Sequence, residues 1–147
     1  MKKVTFTLLC LIFSLGFAFA QNDVISIDLK GTKYTVSKKI PKEIIGEYLY
    51  EKKGEPKVVL NADGTGSFQP HMVPPISIKY WIDCDAKGVI RKTEGINGRY
   101  QYTLLIQYLD GKNGNYPVNG YDLMAVTVIT DEGWAVIYGE RYKPLNK

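Results

Sequence analysis

Cysteine and histidine are close to absent from this chain, which holds two of the first and one of the second in 147 residues. Cys10 falls in an N-terminal apolar run that reads as a leader, so the remainder keeps Cys84 alone and cannot form an intramolecular disulfide. With His71 as the single imidazole, a metal centre built on several histidines is excluded, and a nucleophile-histidine pair has one candidate base. Long helical periodicity is missing as well, which removes the helix-rich fold classes. No basic run or stripe accompanies the net charge of +4 and the pI of 8.9, so neither argues for nucleic-acid binding.

What is present begins with a targeting pattern. Lys2 and Lys3 precede the apolar run VTFTLLCLIFSLGF and the small-residue site Ala18-Phe19-Ala20. This is the layout of a signal peptide cleaved after Ala20, too short and too close to that site to be a membrane span. The expectation is therefore an exported chain of residues 21–147, in the periplasm or outside the cell, with no transmembrane segment. Removing Lys2 and Lys3 leaves 17 of 19 basic residues against 15 acidic ones, a net charge of about +2. Such a length buries about two-thirds of its unfolded surface and folds without staples.

The rest of the chain alternates short apolar-polar runs with turn signals. Ile76, Ile78, Tyr80, Ile82 and Cys84 share one face of a strand, with Trp81, Asp83 and Asp85 on the other. Tyr100, Tyr102, Leu104, Ile106 and Tyr108 repeat the pattern. YDLMAVTVIT is apolar on both faces and joins WAVIYGERY through TDEG, which predicts a hairpin. Turn signals place eight strands near residues 46–52, 56–61, 65–70, 76–84, 88–94, 99–109, 120–130 and 134–142. Sequential antiparallel strands with one apolar face hide it and lose their edges by closing on themselves. The predicted fold is all-β, a single antiparallel up-and-down eight-stranded barrel. VISIDLKGTKYTV adds a hairpin before it and IPKEII a short helical turn; a β-sandwich is the alternative.

At this point the residues resemble a known family. PKEIIGEYLY is similar to the start of the lipocalin barrel, where a short helix leads into a G-x-W motif, with Gly46 and Tyr48 in the matching places. TDEGWAVIYGER is similar to the lipocalin T-D motif between late strands, and Arg141 resembles the basic residue that packs over the first-strand aromatic. LNADGTG matches a hairpin that recurs in lipocalin-like (calycin-type) small β-barrels of secreted bacterial proteins. The resemblance spans roughly residues 40–143 and implies a lipocalin-like barrel, with the ligand left open.

Candidate chemistry is sparse. Asn61 and Asp63 lie beside two glycines, but a calcium loop needs oxygen ligands at alternating positions and a carboxylate at the twelfth, where Met72 stands. Asp63-Gly64 therefore reads as a hairpin turn. Asp83 and Asp85 point the same way from one strand and cannot flank a glycosidic bond. Cys84 lies on an apolar face without a basic neighbour and reads as a small hydrophobe. No metal site, cofactor or catalytic residue is expected, and the chain is read as no enzyme.

Binding remains. Tyrosines on the inward face would fill the barrel or line a narrow cavity, and the candidate ligand contacts are Tyr48, Tyr80, Tyr102, Tyr108, His71 and Trp134. The ligand class these imply is a small amphipathic molecule. The alternative is an envelope protein partner held by loops and by Trp81, which the alternation puts on the polar face of its strand, where either the N-terminal hairpin or a partner covers it.

Overall fold

The computed structural model describes residues 23–51, 54–111 and 114–145. The leader and its cleavage site lie outside the described residues. Eleven strands form: β1 (Val24–Leu29), β2 (Thr32–Ser37), β3 (Gly46–Tyr50), β4 (Lys57–Leu60), β5 (Thr65–Phe68), β6 (Ile76–Asp83), β7 (Lys92–Gly95), β8 (Arg99–Tyr108), β9 (Tyr121–Ile129), β10 (Trp134–Ile137) and β11 (Glu140–Pro144). A short 3-10 helix at Lys42–Ile44 leads into β3.

Eight strands close a ring in the order β6, β5, β4, β3, β11, β10, β9, β8. Pairing of β6 with β8, from Ile78 opposite Tyr108 to Ile82 opposite Leu104, completes it. Closure settles the choice between barrel and sandwich, because both long edges of β6 are occupied by strands of the same ring.

Membership of the ring differs from the expectation in two places. The segment 88–94 stays outside: β7 pairs only with the first part of β8, from Lys92 opposite Tyr102 to Gly95 opposite Arg99. Its four residues, KTEG, are all exposed and offer no apolar side chain for the interior. The segment 134–142 is two strands, parted at Tyr138 and Gly139 with φ of 51° and 79°. Two consecutive left-handed residues make the tight turn that antiparallel neighbours favour.

Alternation then fills the barrel. Tyr48, Tyr80, Ile106, Val126, Ile137 and Tyr142 are each 0–1% exposed and belong to one core fed by all eight ring strands. The interior is a packed core. One end is sealed by the 3-10 helix, whose Ile44 is buried, and by the hydroxyl of Tyr48, which donates to the Ile44 carbonyl at 2.7 Å. Tyr80 donates to the Asn61 carbonyl at 2.6 Å beside the β4–β5 turn. Burial holds both phenols above their ordinary range. Among the described residues no buried side-chain nitrogen or oxygen lacks a hydrogen-bond partner.

A second, smaller cluster lies outside the ring. The β1–β2 hairpin turns at Lys30 and Gly31, both at positive φ, and lies across β6 with Val36 opposite Asp83. Beneath it Trp81 packs with Val36 and Leu105 and is 6% exposed. The partner surface expected at Trp81 is thus not formed, because the chain's own hairpin covers the indole. Burying about 150 Å² of such a ring at about 25 cal/mol per Å² is worth at most about 4 kcal/mol.

The Asn61–Gly64 stretch is a turn between β4 and β5. Gly64 sits at φ 78°, its amide donates to the Asn61 carbonyl, and Asp63 Oδ1 accepts from the Thr65 amide at 2.9 Å and from its hydroxyl at 2.6 Å. These hydrogen bonds hold the Asp63 carboxyl below its ordinary range.

Candidate functional site

The unsealed end of the barrel is where the β5–β6, β8–β9 and β10–β11 connections meet. A cleft of about 490 Å³ opens there. Its apolar wall is made of Phe68, Val73, Tyr116, Tyr138 and Tyr142, and its polar groups include Gln69, His71, Asp122 and Glu140.

Period-two alternation puts the acidic groups there. Met124, Val126 and Val128 point into the core from β9, so Asp122, two residues before Met124, is the inward position at the mouth. Glu140 stands in the same relation to Tyr142 on β11. At this end of the barrel the inward face runs out of buried volume and a charged side chain meets solvent.

Two hydrogen-bonded groups organise the cleft. In the first, Asp122 Oδ2 accepts from the Tyr108 hydroxyl at 3.2 Å and from the Tyr138 hydroxyl at 3.4 Å, and Oδ1 accepts from the Leu123 amide at 2.8 Å. Burial, with the nearby Asp122 charge, pushes the Tyr108 phenol up to about 12. Tyr138 is raised further, by burial first and then by Tyr108 and Asp122. Both hydroxyls therefore remain donors. In the second group, His71 Nε2 lies 2.9 Å from both oxygens of Glu140. The His71 ring meets Tyr50 edge-on at 5.0 Å, and Tyr50 meets Tyr142 at 5.9 Å. Burial and Glu140 push the Tyr142 phenol up to about 12.

Aromatic contacts join the groups. Phe68 lies 5.2 Å from Tyr138 and 6.2 Å from Tyr116, and Tyr116 meets Tyr108 edge-on at 5.4 Å. Tyr138 is the conformational outlier of the site, a tyrosine at φ 51°. Strained backbone of this kind persists where surrounding structure fixes it and gathers at functional sites.

Of the residues expected to contact a ligand, the structure brings His71 to the cleft, while Tyr108 is buried and reaches it only through its contacts with Asp122 and Tyr116. Tyr48 and Tyr80 seal the opposite end, and Tyr102 is a core residue 2% exposed. Trp134 points outward from β10, where its indole donates to Glu132 at 2.6 Å and the Arg141 guanidinium stacks on it at 4.2 Å. Arg141 therefore covers Trp134 and not Tyr48. It points outward from β11 while its neighbour Tyr142 points in, and it stands opposite Val136, two residues from Trp134 on β10. Phe68, Tyr116, Asp122, Tyr138, Glu140 and Tyr142 escaped the sequence reading. Inward register on their strands could have found Phe68, Asp122, Glu140 and Tyr142; Tyr116 and Tyr138 lie in connections, where no such signal exists.

The fold and site together define a closed eight-stranded antiparallel β-barrel with a filled core and a polar, aromatic mouth, which fits a lipocalin-like barrel in general. No family model matches the chain, and no solved structure matches it at a significant level. The chain is similar to curated fungal proteins named "Probable rhamnogalacturonate lyase B". It is 34% identical to that of Neosartorya fischeri over 80 residues, 54% of this chain and 12% of the relative. To that of Aspergillus terreus it is 35% identical over 65 residues, 44% of this chain and 9% of the relative. The chain thus spans about an eighth or less of the relatives' length. Those relatives are named as enzymes, and this overturns the expectation that the chain is no enzyme.

Proposed function

We propose that the barrel mouth binds a small amphipathic molecule, with the protein exported through its N-terminal segment and cleaved after Ala20. The observation that carries the reading is the cleft itself: an aromatic wall facing fixed polar groups at the unsealed end of a filled barrel. A ligand places its apolar part against Phe68 and Tyr116 and meets the Tyr138 hydroxyl and the carboxylates with its polar part. The partner-protein alternative loses its main support, since Trp81 is covered.

Native mass spectrometry of the mature chain, purified with its own leader and compared with a denatured sample, tests this. A surplus mass released on denaturation, and absent from a Val73→Trp variant that fills the cleft, supports it. No surplus mass, and no change in melting temperature across a panel of amphipathic molecules, would sink it. The same mass reports the cleavage site.

A second reading is favoured by the His71–Glu140 pair and by the name of the relatives. An imidazole held by a carboxylate at 2.9 Å is equipped to move a proton. On that reading the cleft performs acid-base chemistry on a saccharide. Incubation with rhamnogalacturonan should then release unsaturated sugar ends seen by ultraviolet absorbance, and a His71→Ala variant should not; equal activity in that variant would remove His71 from the chemistry.

A further inference from the structure

Resting on the reading of the cleft as a ligand site, we infer that it selects organic cations, an ammonium or guanidinium head on an apolar body. The charges on its described lining residues are unbalanced. Asp122 and Glu140 are carboxylates, and among the described lining residues His71 is the one group able to carry positive charge. His71 is already committed to Glu140, 2.9 Å from each oxygen. Among these described residues even a protonated imidazole leaves Asp122 uncompensated, and a neutral one leaves two negative charges.

The partners of Asp122 do not cancel its charge. Tyr108 and Tyr138 are neutral donors at 3.2 and 3.4 Å, long enough to orient the carboxylate without saturating it. The same negative field is felt by the phenols, since Asp122 is among the causes that raise both. A carboxylate-bearing ligand would meet that field as a further negative charge.

The walls act in the same direction. Phe68, Tyr116, Tyr138 and Tyr142 line the space beside the two carboxylates. Aromatic faces carry negative potential and attract a cation that has shed water, an effect that grows as the site is desolvated. Carboxylate and ring together favour a soft organic cation over a small hydrated metal ion, whose shell of oxygens the rings cannot replace.

Titration calorimetry on the mature chain at neutral pH tests this with three probes of one shape: 2-phenylethylamine, 2-phenylethanol and 3-phenylpropionate. The amine should bind at least about tenfold more tightly than the alcohol, and the carboxylate should bind least. Asp122→Asn should weaken the amine by at least about tenfold, a clearly larger loss than the alcohol suffers. Because Asp122 also anchors two tyrosines, Glu140→Gln is the second variant, expected to weaken the amine selectively, with melting curves reporting that each variant is folded. If the alcohol or the carboxylate binds as tightly as the amine, the charge argument is overturned while the cleft stands as a binding site. If none of the three binds, the charge argument fails; a retained surplus mass in the native protein would then show that the cleft reading survives it.

Discussion

Tyr138 ties the fold to the cleft, and a pair of substitutions separates its two roles. The residue sits at φ 51° and is 36% exposed, so roughly two-thirds of its side chain is packed against its surroundings, Phe68 among them. Removing about 100–150 Å² of buried surface at about 25 cal/mol per Å² costs about 3 kcal/mol at most. Alanine suffers that loss and keeps the left-handed strain of about 1–2 kcal/mol. Glycine suffers the same loss, escapes the strain, and adds back about 0.5–1 kcal/mol through greater freedom of the unfolded chain. The Gly variant should therefore be more stable than the Ala variant by about 0.5–1 kcal/mol, the reverse of their order at an ordinary strand position. Urea denaturation with a shared slope reads the difference. Both variants should lose binding of the amine probe, and Tyr138→Phe, which keeps the ring and removes the hydroxyl, should stay within about 1 kcal/mol of the parent. An Ala variant as stable as the Gly variant, or more so, would refute the claim that the backbone at 138 is strained.

Gly64 and Gly133 both have positive φ, 78° and 64°, but an added Cβ at Gly64 would lie 2.9 Å from the Tyr80 carbonyl oxygen while one at Gly133 meets nothing within 4 Å. Gly133→Ala should cost about 1 kcal/mol, and Gly64→Ala at least about 1 kcal/mol more in thermal or urea unfolding; equal losses would show that the β4–β5 turn has room to give. Cys84 is fully buried, and burial first, then Asp83 and Asp85, raise its thiol, so a thiol reagent should label the mature protein only after denaturation. Rapid labelling of the native form would contradict this placement. Tyr108 and Tyr142 hold their protons up to about 12, against about 10 in the unfolded chain, so the stabilisation they lend is complete below pH 10 and fades as the pH climbs from 10 toward 12. The ceiling is about 2.7 kcal/mol for each, and a urea midpoint unchanged from pH 9 to 12 while tyrosinate absorbance rises would refute it.

The barrel was legible where a strand is half buried over its whole length. Ile76, Ile78, Tyr80 and Ile82 alternate cleanly with exposed or hairpin-covered partners, and β8 does the same, so period two marks their inward face directly. Turns were legible where glycine or asparagine announces them, as at Asn61–Gly64. The β10–β11 turn was not, because a tyrosine at its first left-handed position reads as one more strand residue. Nor was the exclusion of β7, since turn spacing alone makes a strand of Lys92–Gly95 without saying that it has nothing to bury. The site suffered from the same bias. Tyrosines were sought on inward faces, which is correct for Tyr48, Tyr80, Tyr102 and Tyr108, but the sequence does not say which end of the barrel is sealed. Asp122 and Glu140 occupy inward positions too, and a carboxylate at a strand end looks like solvated surface until the neighbouring strands are in place.

The two ends of the filled barrel use their phenols differently, and the difference bears on the proposed site. At the sealed end two inward phenols are spent on the backbone: Tyr48 on Ile44, Tyr80 on Asn61. Those bonds join the 3-10 helix and the β4–β5 turn to the core, and breaking either leaves a carbonyl without its partner. At the mouth the phenols of Tyr108 and Tyr138 donate instead to a side chain, Asp122, whose remaining acceptor sites face the cleft. A hydroxyl bonded to backbone is part of the scaffold, whereas one bonded to a side-chain carboxylate at the cleft would be available to exchange partners with the proposed ligand. The same residue type thus closes one end and serves the other. Function is to be sought in the few residues that cap the inward face of β8, β9 and β11, not in the packed interior beneath them.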